Sequence, residues 1–367
     1  MIELLNLQKQ YATIEGELID SFTNVLKSGQ YILGPYVQQL ELEIAKKIGV
    51  KEAIGVASGT DALILTLSAY NIGAGDEVIT TPFTFIATAE AIAQVGATPI
   101  FVDIDPTTGL IDVSKIEQAI TERTKAIIPV HIFGQPADMD EINHIATTHN
   151  LVVIEDACQA FGATYVNKYA GNLANAGCFS FFPTKNLGGI GDGGIITTND
   201  QALAKKIRVL RVHGSAKKYF HDELGFNSRL DAVQAAIILV SLQHIDSWNK
   251  TRRDLASNYI EAIDKIEQID AIIEKEDRKH VYHLFSIRSK QRNHIMQFLA
   301  ESGIRTAVYY PCCLHLQPAF KYLGHQVGHF PNAEQLSNEI FSIPLHPFLT
   351  TKEQNVILHA LRKSVKK

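Results

Sequence analysis

Residues 151–160 read LVVIEDACQA. The first four residues are apolar, and the run then ends in two carboxylates, Glu155 and Asp156. An apolar run this short fits a strand buried on both faces of a sheet. Similar runs flank it at 53–56, 77–80, 98–102, 125–130, 178–182 and 194–198. Segments with helical spacing separate several of them, at 60–71, 84–95, 138–149 and 200–211. Strands alternating with crossover helices predict a three-layer α/β fold with a mostly parallel, seven-stranded sheet. Ligands of such sheets bind at the carboxyl ends of the strands, so the residues after each run are where chemistry is sought.

Three of those positions carry reactive or binding groups. After 53–56 comes Ala57-Ser58-Gly59-Thr60-Asp61, opening a helix. Small residues at a helix N-terminus admit a phosphate to the backbone amides, with Ser58 and Thr60 adding hydroxyls. Read alone, Ser58 is equally an ordinary helix cap. After 151–155 comes Asp156; adjacent strand residues face opposite ways, so only one of Glu155 and Asp156 is expected in a given site. After 178–182 comes Pro183-Thr184-Lys185-Asn186, then a glycine-dense stretch up to Gly194. Desolvation behind an apolar strand lowers a lysine pKa and makes it a nucleophile, although a solvated loop lysine fits the same residues. The glycine run precedes a strand and opens no helix, so it is no dinucleotide fingerprint; a P-loop motif is absent too.

Composition narrows the class. The chain has 367 residues, 46% hydrophobic and 20% charged, which excludes a disordered chain. The charge is −5 with no basic block, arguing against nucleic acid or a membrane surface as partner. No window of about 18 apolar residues suggests a membrane span, and Met1-Ile2-Glu3-Leu4 does not open a signal peptide. Cys158, Cys178, Cys312 and Cys313 form no disulfide framework, which predicts a cytoplasmic protein. The sequence texture changes after Asn199, and 229–250 reads as one long helix. A large domain is therefore expected over 12–250 and a smaller α+β domain over 251–367, which residues 1–11 could join. Strands are expected at 280–288 and 304–308. There His280 and His283 would point to opposite faces, so no metal site is expected.

A Schiff-base lysine, a carboxylate for a pyridinium nitrogen and a phosphate cradle are together what pyridoxal 5′-phosphate requires. Along nearly the whole chain the sequence also resembles the DegT/DnrJ/StrS nucleotide-sugar aminotransferases of the aspartate-aminotransferase-like fold. The resemblance is carried by Gly29-Gln30-Tyr31-Ile32-Leu33-Gly34-Pro35, Ser58-Gly59-Thr60-Asp61-Ala62-Leu63, Glu155-Asp156-Ala157-Cys158-Gln159-Ala160, Phe182-Pro183-Thr184-Lys185-Asn186-Leu187, Gly191-Asp192-Gly193-Gly194 and Asn227-Ser228-Arg229-Leu230-Asp231.

The resemblance implies a role for each matching residue. Lys185 would be the catalytic residue and hold the cofactor as a Schiff base. Asp156 would pair with the ring nitrogen, Gln159 would contact the phenolic oxygen, and Phe85 would stack on the ring. Ser58, Gly59, Thr60 and Ser180 would cradle the phosphate. Asn227 would reach it from the second subunit of a homodimer with shared active sites. Tyr310 and His315, in a stretch resembling the family's substrate loop, are substrate candidates, although a surface loop fits as well. Cys158 stands where the family often has Ala and reads as core packing. The implied reaction moves an amino group from L-glutamate to a nucleotide-linked keto-sugar, through the pyridoxamine 5′-phosphate (PMP) form, with a 3-keto sugar favoured over a 4-keto one. A PMP-dependent dehydratase, whose members carry His in place of Lys185, and a non-catalytic sugar-nucleotide sensor are the alternatives on this fold.

Overall fold

A computed structural model describes residues 1–365. The central sheet has seven strands, in the order Glu52–Val56, Gly194–Thr198, Ala176–Ser180, Val152–Asp156, Thr124–Ile127, Glu77–Thr80 and Thr98–Phe101. Neighbours pair in parallel except at Gly194–Thr198, which is antiparallel to both of its neighbours. Alternate residues feed two cores, as strand geometry dictates. Ile54, Ile154, Cys178 and Ile196 join the core under helices Gly59–Ala69 and Gln201–Leu210. Ala53, Val153, Phe179 and Ile195 face the other side. That is why the strands read as continuous apolar runs: each residue is buried on one face or the other.

A single helix, Ala232–Ile263, is the longest element, with 32 residues. Its first half packs against helices Glu15–Ser28 and Pro35–Ile48. Its second half supplies Leu255, Tyr259 and Ile263 to the core of the smaller body. Residues 250 and 251 lie inside this helix, so both bodies share it. The small body is completed by an antiparallel sheet of Asp270–Ala271, Phe285–Arg288 and Ile340–Ile343, with helices Arg292–Glu301 and Thr351–Ser364. Residues 1–11 touch both bodies: Ile2 pairs with Ile304, and the Tyr11 hydroxyl donates to the Gly189 carbonyl at 2.8 Å.

Two expected strands are not as the sequence suggested. The 280–288 run is broken: Arg278–Lys279 joins a ribbon with Thr164–Tyr165, and only Phe285–Arg288 enters the small sheet. Between them Tyr282 takes a positive φ of 46°, and its ring stacks on His280 with centroids 4.0 Å apart. His280 and His283 are therefore both buried in a crossing segment, and strand alternation does not govern them. Around 304–308 only isolated bridges form, Ile304 to Ile2 and Ala307 to Ser342. No helix among the described residues is long and apolar enough to cross a membrane.

Candidate active site

The carboxyl ends of the central strands open into a cavity of about 540 Å³. Of the residues singled out in the sequence, Ser58, Gly59, Thr60, Phe85, Asp156, Gln159, Ser180, Lys185 and Tyr310 line it together.

One wall is the start of helix Gly59–Ala69. Ser58 caps it, its hydroxyl accepting from the Asp61 N–H at 3.0 Å and its carbonyl from the Ala62 N–H at 3.0 Å. This leaves the amides of Gly59 and Thr60 without intrahelical partners at the positive end of the helix dipole. Capping and anion binding are therefore compatible roles for this turn. The turn also fits against the end of the Ala176–Ser180 strand with no room to spare. A Cβ on Gly59 would lie 2.7 Å from the Ser180 Cβ and 2.8 Å from the Cys158 Sγ. One on Gly194 would lie 2.3 Å from the Ser58 carbonyl oxygen.

The floor is acidic and rigid. Asp156 ends its strand, and its Oδ2 accepts from the Thr88 hydroxyl at 2.7 Å; Thr84 in turn lies 3.1 Å from Thr88. Its Oδ1 accepts from the Cys158 N–H at 3.2 Å. Glu155 points the other way, as strand alternation requires. There it accepts from the N–H groups of Gly171, Leu173 and Ala174 and lies 3.0 Å from His131 Nε2. The Cys158 thiol is pushed up by burial, then by Asp156, which keeps it protonated and fits its reading as core packing.

Lys185 sits on the loop after the Ala176–Ser180 strand, its N–H bonded to the Phe182 carbonyl at 2.8 Å. Burial pushes its amine below the usual lysine range, against the opposing pull of Cys158 and Asp156. Asn186 fixes the loop from behind, donating to Asn249 on the long helix at 2.8 Å and to the Val281 carbonyl at 3.0 Å. Gln159 is held at both ends of its amide: Oε1 accepts from the Phe133 N–H at 2.7 Å, and Nε2 donates to the Tyr310 hydroxyl at 3.1 Å. Burial raises the Tyr310 pKa, so the phenol stays protonated. Phe85 presents a ring that is 54% exposed, with its centroid 6.1 Å from that of Tyr310.

Two candidates lie elsewhere. His315 is buried in a short helical turn, with Nε2 3.1 Å from Glu334 and its ring against Phe330, and it does not line the cavity. Asn227 is exposed on a segment bridged to Val212, also outside the cavity lining of its own chain. In the other direction, His283, Leu284 and Tyr309 line the cavity without having been picked out. The signal for His283 was present as His280-x-x-His283, but it had been weighed only as a metal pair.

The chain as a whole resembles known proteins. Residues 12–362 match the DegT/DnrJ/EryC1/StrS aminotransferase family. The chain belongs to this family. It is 48% identical to a pleiotropic regulatory protein of Geobacillus stearothermophilus, covering 98% of this chain and 97% of that one. It is 45% identical to the dTDP-3-amino-3,6-dideoxy-alpha-D-galactopyranose transaminase of Aneurinibacillus thermoaerophilus, covering 99% of each. Among solved structures, DesV of S. venezuelae, in complex with a ketimine intermediate, superposes with a TM-score of 0.98 at 38% identity, covering 100% of this chain and 99% of that one. The ntda protein of Bacillus subtilis, with bound cofactor PMP, gives a TM-score of 0.90 at 36% identity, covering 96% and 82%.

Proposed function

We propose that this aminotransferase moves an amino group from L-glutamate to the C3 keto position of a nucleotide-linked sugar, using pyridoxal 5′-phosphate that passes through its PMP form. The observation that carries the reading is a desolvated lysine and a buried aspartate on one cavity that ends at a helix N-terminus. The residues suit the cofactor. The Gly59–Thr60 amides and the Ser58, Thr60 and Ser180 hydroxyls offer a phosphate cradle, and the lack of a side chain on Gly59 lets this turn close against Ser180 and Cys158. Asp156, held by Thr88, offers a charge to a protonated ring nitrogen. Gln159 offers its amide to the phenolic oxygen, and Phe85 a flat face to the ring.

When bound, the cofactor supplies an electron sink for the carbanion formed at the substrate. Lys185 does the rest of the chemistry. Its amine, whose pKa burial lowers, would be the nucleophile that holds the cofactor. With the cofactor held there, the Lys185 Nζ would be the cavity's amine placed to take a proton from the amino donor's Cα as base and to return it as acid. Tyr310, protonated and bonded to Gln159, borders the side where the sugar enters. The enzyme acts as a homodimer in which Asn227 of each chain completes the partner's phosphate site, and it works in the cytoplasm. The exposed position of Asn227 and the four free cysteines support those two readings. The 3-keto preference is supported by the name of the 45%-identical transaminase.

An absorbance spectrum of the purified protein tests this reading. A visible cofactor band that L-glutamate bleaches, and that a nucleotide-linked 3-keto-sugar restores, is expected. Lys185→Ala should abolish turnover. A protein that takes up no cofactor would overturn the proposal and favour a non-catalytic sensor.

A further inference from the structure

The stretch between Lys185 and the strand Gly194–Thr198 reaches the cavity because that strand runs backwards. It is antiparallel to both neighbours, with Gly194 opposite Ser180 on one side and Val56 on the other. Its amino end therefore lies at the carboxyl edge of the sheet, and the residues before it form part of the cavity rim. This rim is pinned. The Gly193 carbonyl accepts from the Phe181 N–H at 2.8 Å, and the Gly189 N–H donates to the Phe181 carbonyl at 2.8 Å. Gln234 on the long helix accepts from the Ile190 N–H at 2.9 Å. There is little slack: a Cβ on Gly193 would lie 2.8 Å from Leu230 Cδ1 and 3.3 Å from Phe181 Cβ.

Asp156 and Asp192 are the two carboxylates that line the cavity. Asp156 is engaged, by the Thr88 hydroxyl and the Cys158 N–H. Asp192 is exposed at the rim, and its carboxylate has no hydrogen-bond or ion-pair partner among the described residues. A carboxylate only accepts hydrogen bonds, and it repels anions. Both reactants are anionic, the amino donor through its carboxylates and a nucleotide-linked sugar through its diphosphate. What each can offer Asp192 is narrow: the donor its ammonium, the sugar its ring hydroxyls. The donor's nitrogen has to reach the cofactor at Lys185, deep in the cavity. The free carboxylate at the rim is left to the sugar.

We infer that Asp192 is a specificity-determining residue for the second reactant, its carboxylate accepting hydrogen bonds from hydroxyls of the sugar ring. This inference rests on the sugar-aminotransferase reading above. The pinned backbone on either side gives the carboxylate a fixed place, so it selects a hydroxyl at one position of the ring. No covalent step or proton transfer is assigned to Asp192.

The test separates the two half-reactions. An amino-sugar product runs the second one in reverse, so the visible band of the holoenzyme can be bleached by L-glutamate or by a 3-amino sugar. The sugar probes are dTDP-3-amino-3,6-dideoxy-D-galactose and UDP-2-acetamido-3-amino-2,3-dideoxy-D-glucose, followed by stopped flow. For whichever bleaches wild type at the lower concentration, Asp192→Ala should raise the half-saturating concentration roughly ten-fold or more. Asp192→Asn, which keeps one acceptor oxygen, should raise it less. The limiting rate with the sugar, and bleaching by L-glutamate, should stay as in wild type. An unchanged or lower half-saturating sugar concentration in Asp192→Ala, or an equal rise for L-glutamate, would overturn the inference and leave the aminotransferase reading standing. Wild-type holoenzyme bleached by L-glutamate but by neither amino sugar would overturn the 3-keto-sugar reading and the inference with it.

Discussion

Thr88 is the residue that fixes Asp156, through a buried hydroxyl-to-carboxylate bond of 2.7 Å. Thr88→Val keeps the shape and removes that bond; a hydrogen bond to a charged group is worth roughly 1.5–3 kcal/mol. A loss of that size is expected in urea denaturation of the apoprotein, together with weaker retention of cofactor on dialysis. Gly59→Ala should cost both stability and binding, because the added methyl collides with Ser180 and Cys158 and must shift the turn that forms the cradle. Cofactor dissociation at least ten-fold faster, by dialysis or stopped flow, is the expected result. At this scale the sequence was readable wherever a side chain follows directly from a buried strand. Ser58, Asp156, Ser180 and Lys185 all meet at the cavity for that reason. His283 and His315 could not be placed in this way. The position of His283 depends on the turn at Tyr282, and that of His315 on a short helical turn that aims it at Glu334. Neither turn leaves a pattern of apolar spacing.

Among the elements, the central strands were legible because burial on both faces leaves unbroken apolar runs, and the crossover helices because their apolar residues repeat at helical spacing. The short edge pieces were not. Arg278–Lys279 and Thr164–Tyr165 are two-residue strands whose pairing is set by distant contacts, including Arg278 on Asp138 and the Pro136 carbonyl. Adjacent carboxylates on one strand illustrate how an element divides labour. Asp156 serves the cavity, while Glu155 ties the strand to the 171–174 loop and to His131. The His131 Nδ1 accepts from the Ala137 N–H at 3.1 Å, so its Nε2 carries the proton donated to Glu155. Glu155→Gln places a donor against these donors inside the core. Removing one partner of such a buried group costs about 3 kcal/mol or more, which a thermal melt of the variant would show.

For the whole molecule, the homodimer reading predicts where the chain is sticky. Ile19, Phe22 and Leu26 are exposed along one side of helix Glu15–Ser28, and Tyr31 and Ile32 are exposed just beyond it. A double change, Phe22→Asp with Leu26→Asp, should give a monomer by light scattering with cofactor affinity reduced, since Asn227 would no longer reach across. Stability should also rise with pH through mildly acidic conditions. Burial, reinforced by Arg252, lowers the His346 pKa from 6.5 to about 4. Between those values the unfolded chain binds the extra proton, so stability is lost as pH falls from about 6.5 toward 4. His280, lowered to about 3 by burial, adds to the same trend. His346→Phe should flatten the acid limb of a stability profile measured by urea midpoint. The helix Ala232–Ile263 has a mechanical consequence. At 1.5 Å per residue it is a rod roughly 48 Å long, and no glycine or proline interrupts it. Stiffness of that kind rules out a jaw that swings on a linker, so access to the cavity belongs to its rim loops. It also means that a cut after residue 250 would sever a beam, and the two fragments should aggregate apart while assembling when expressed together.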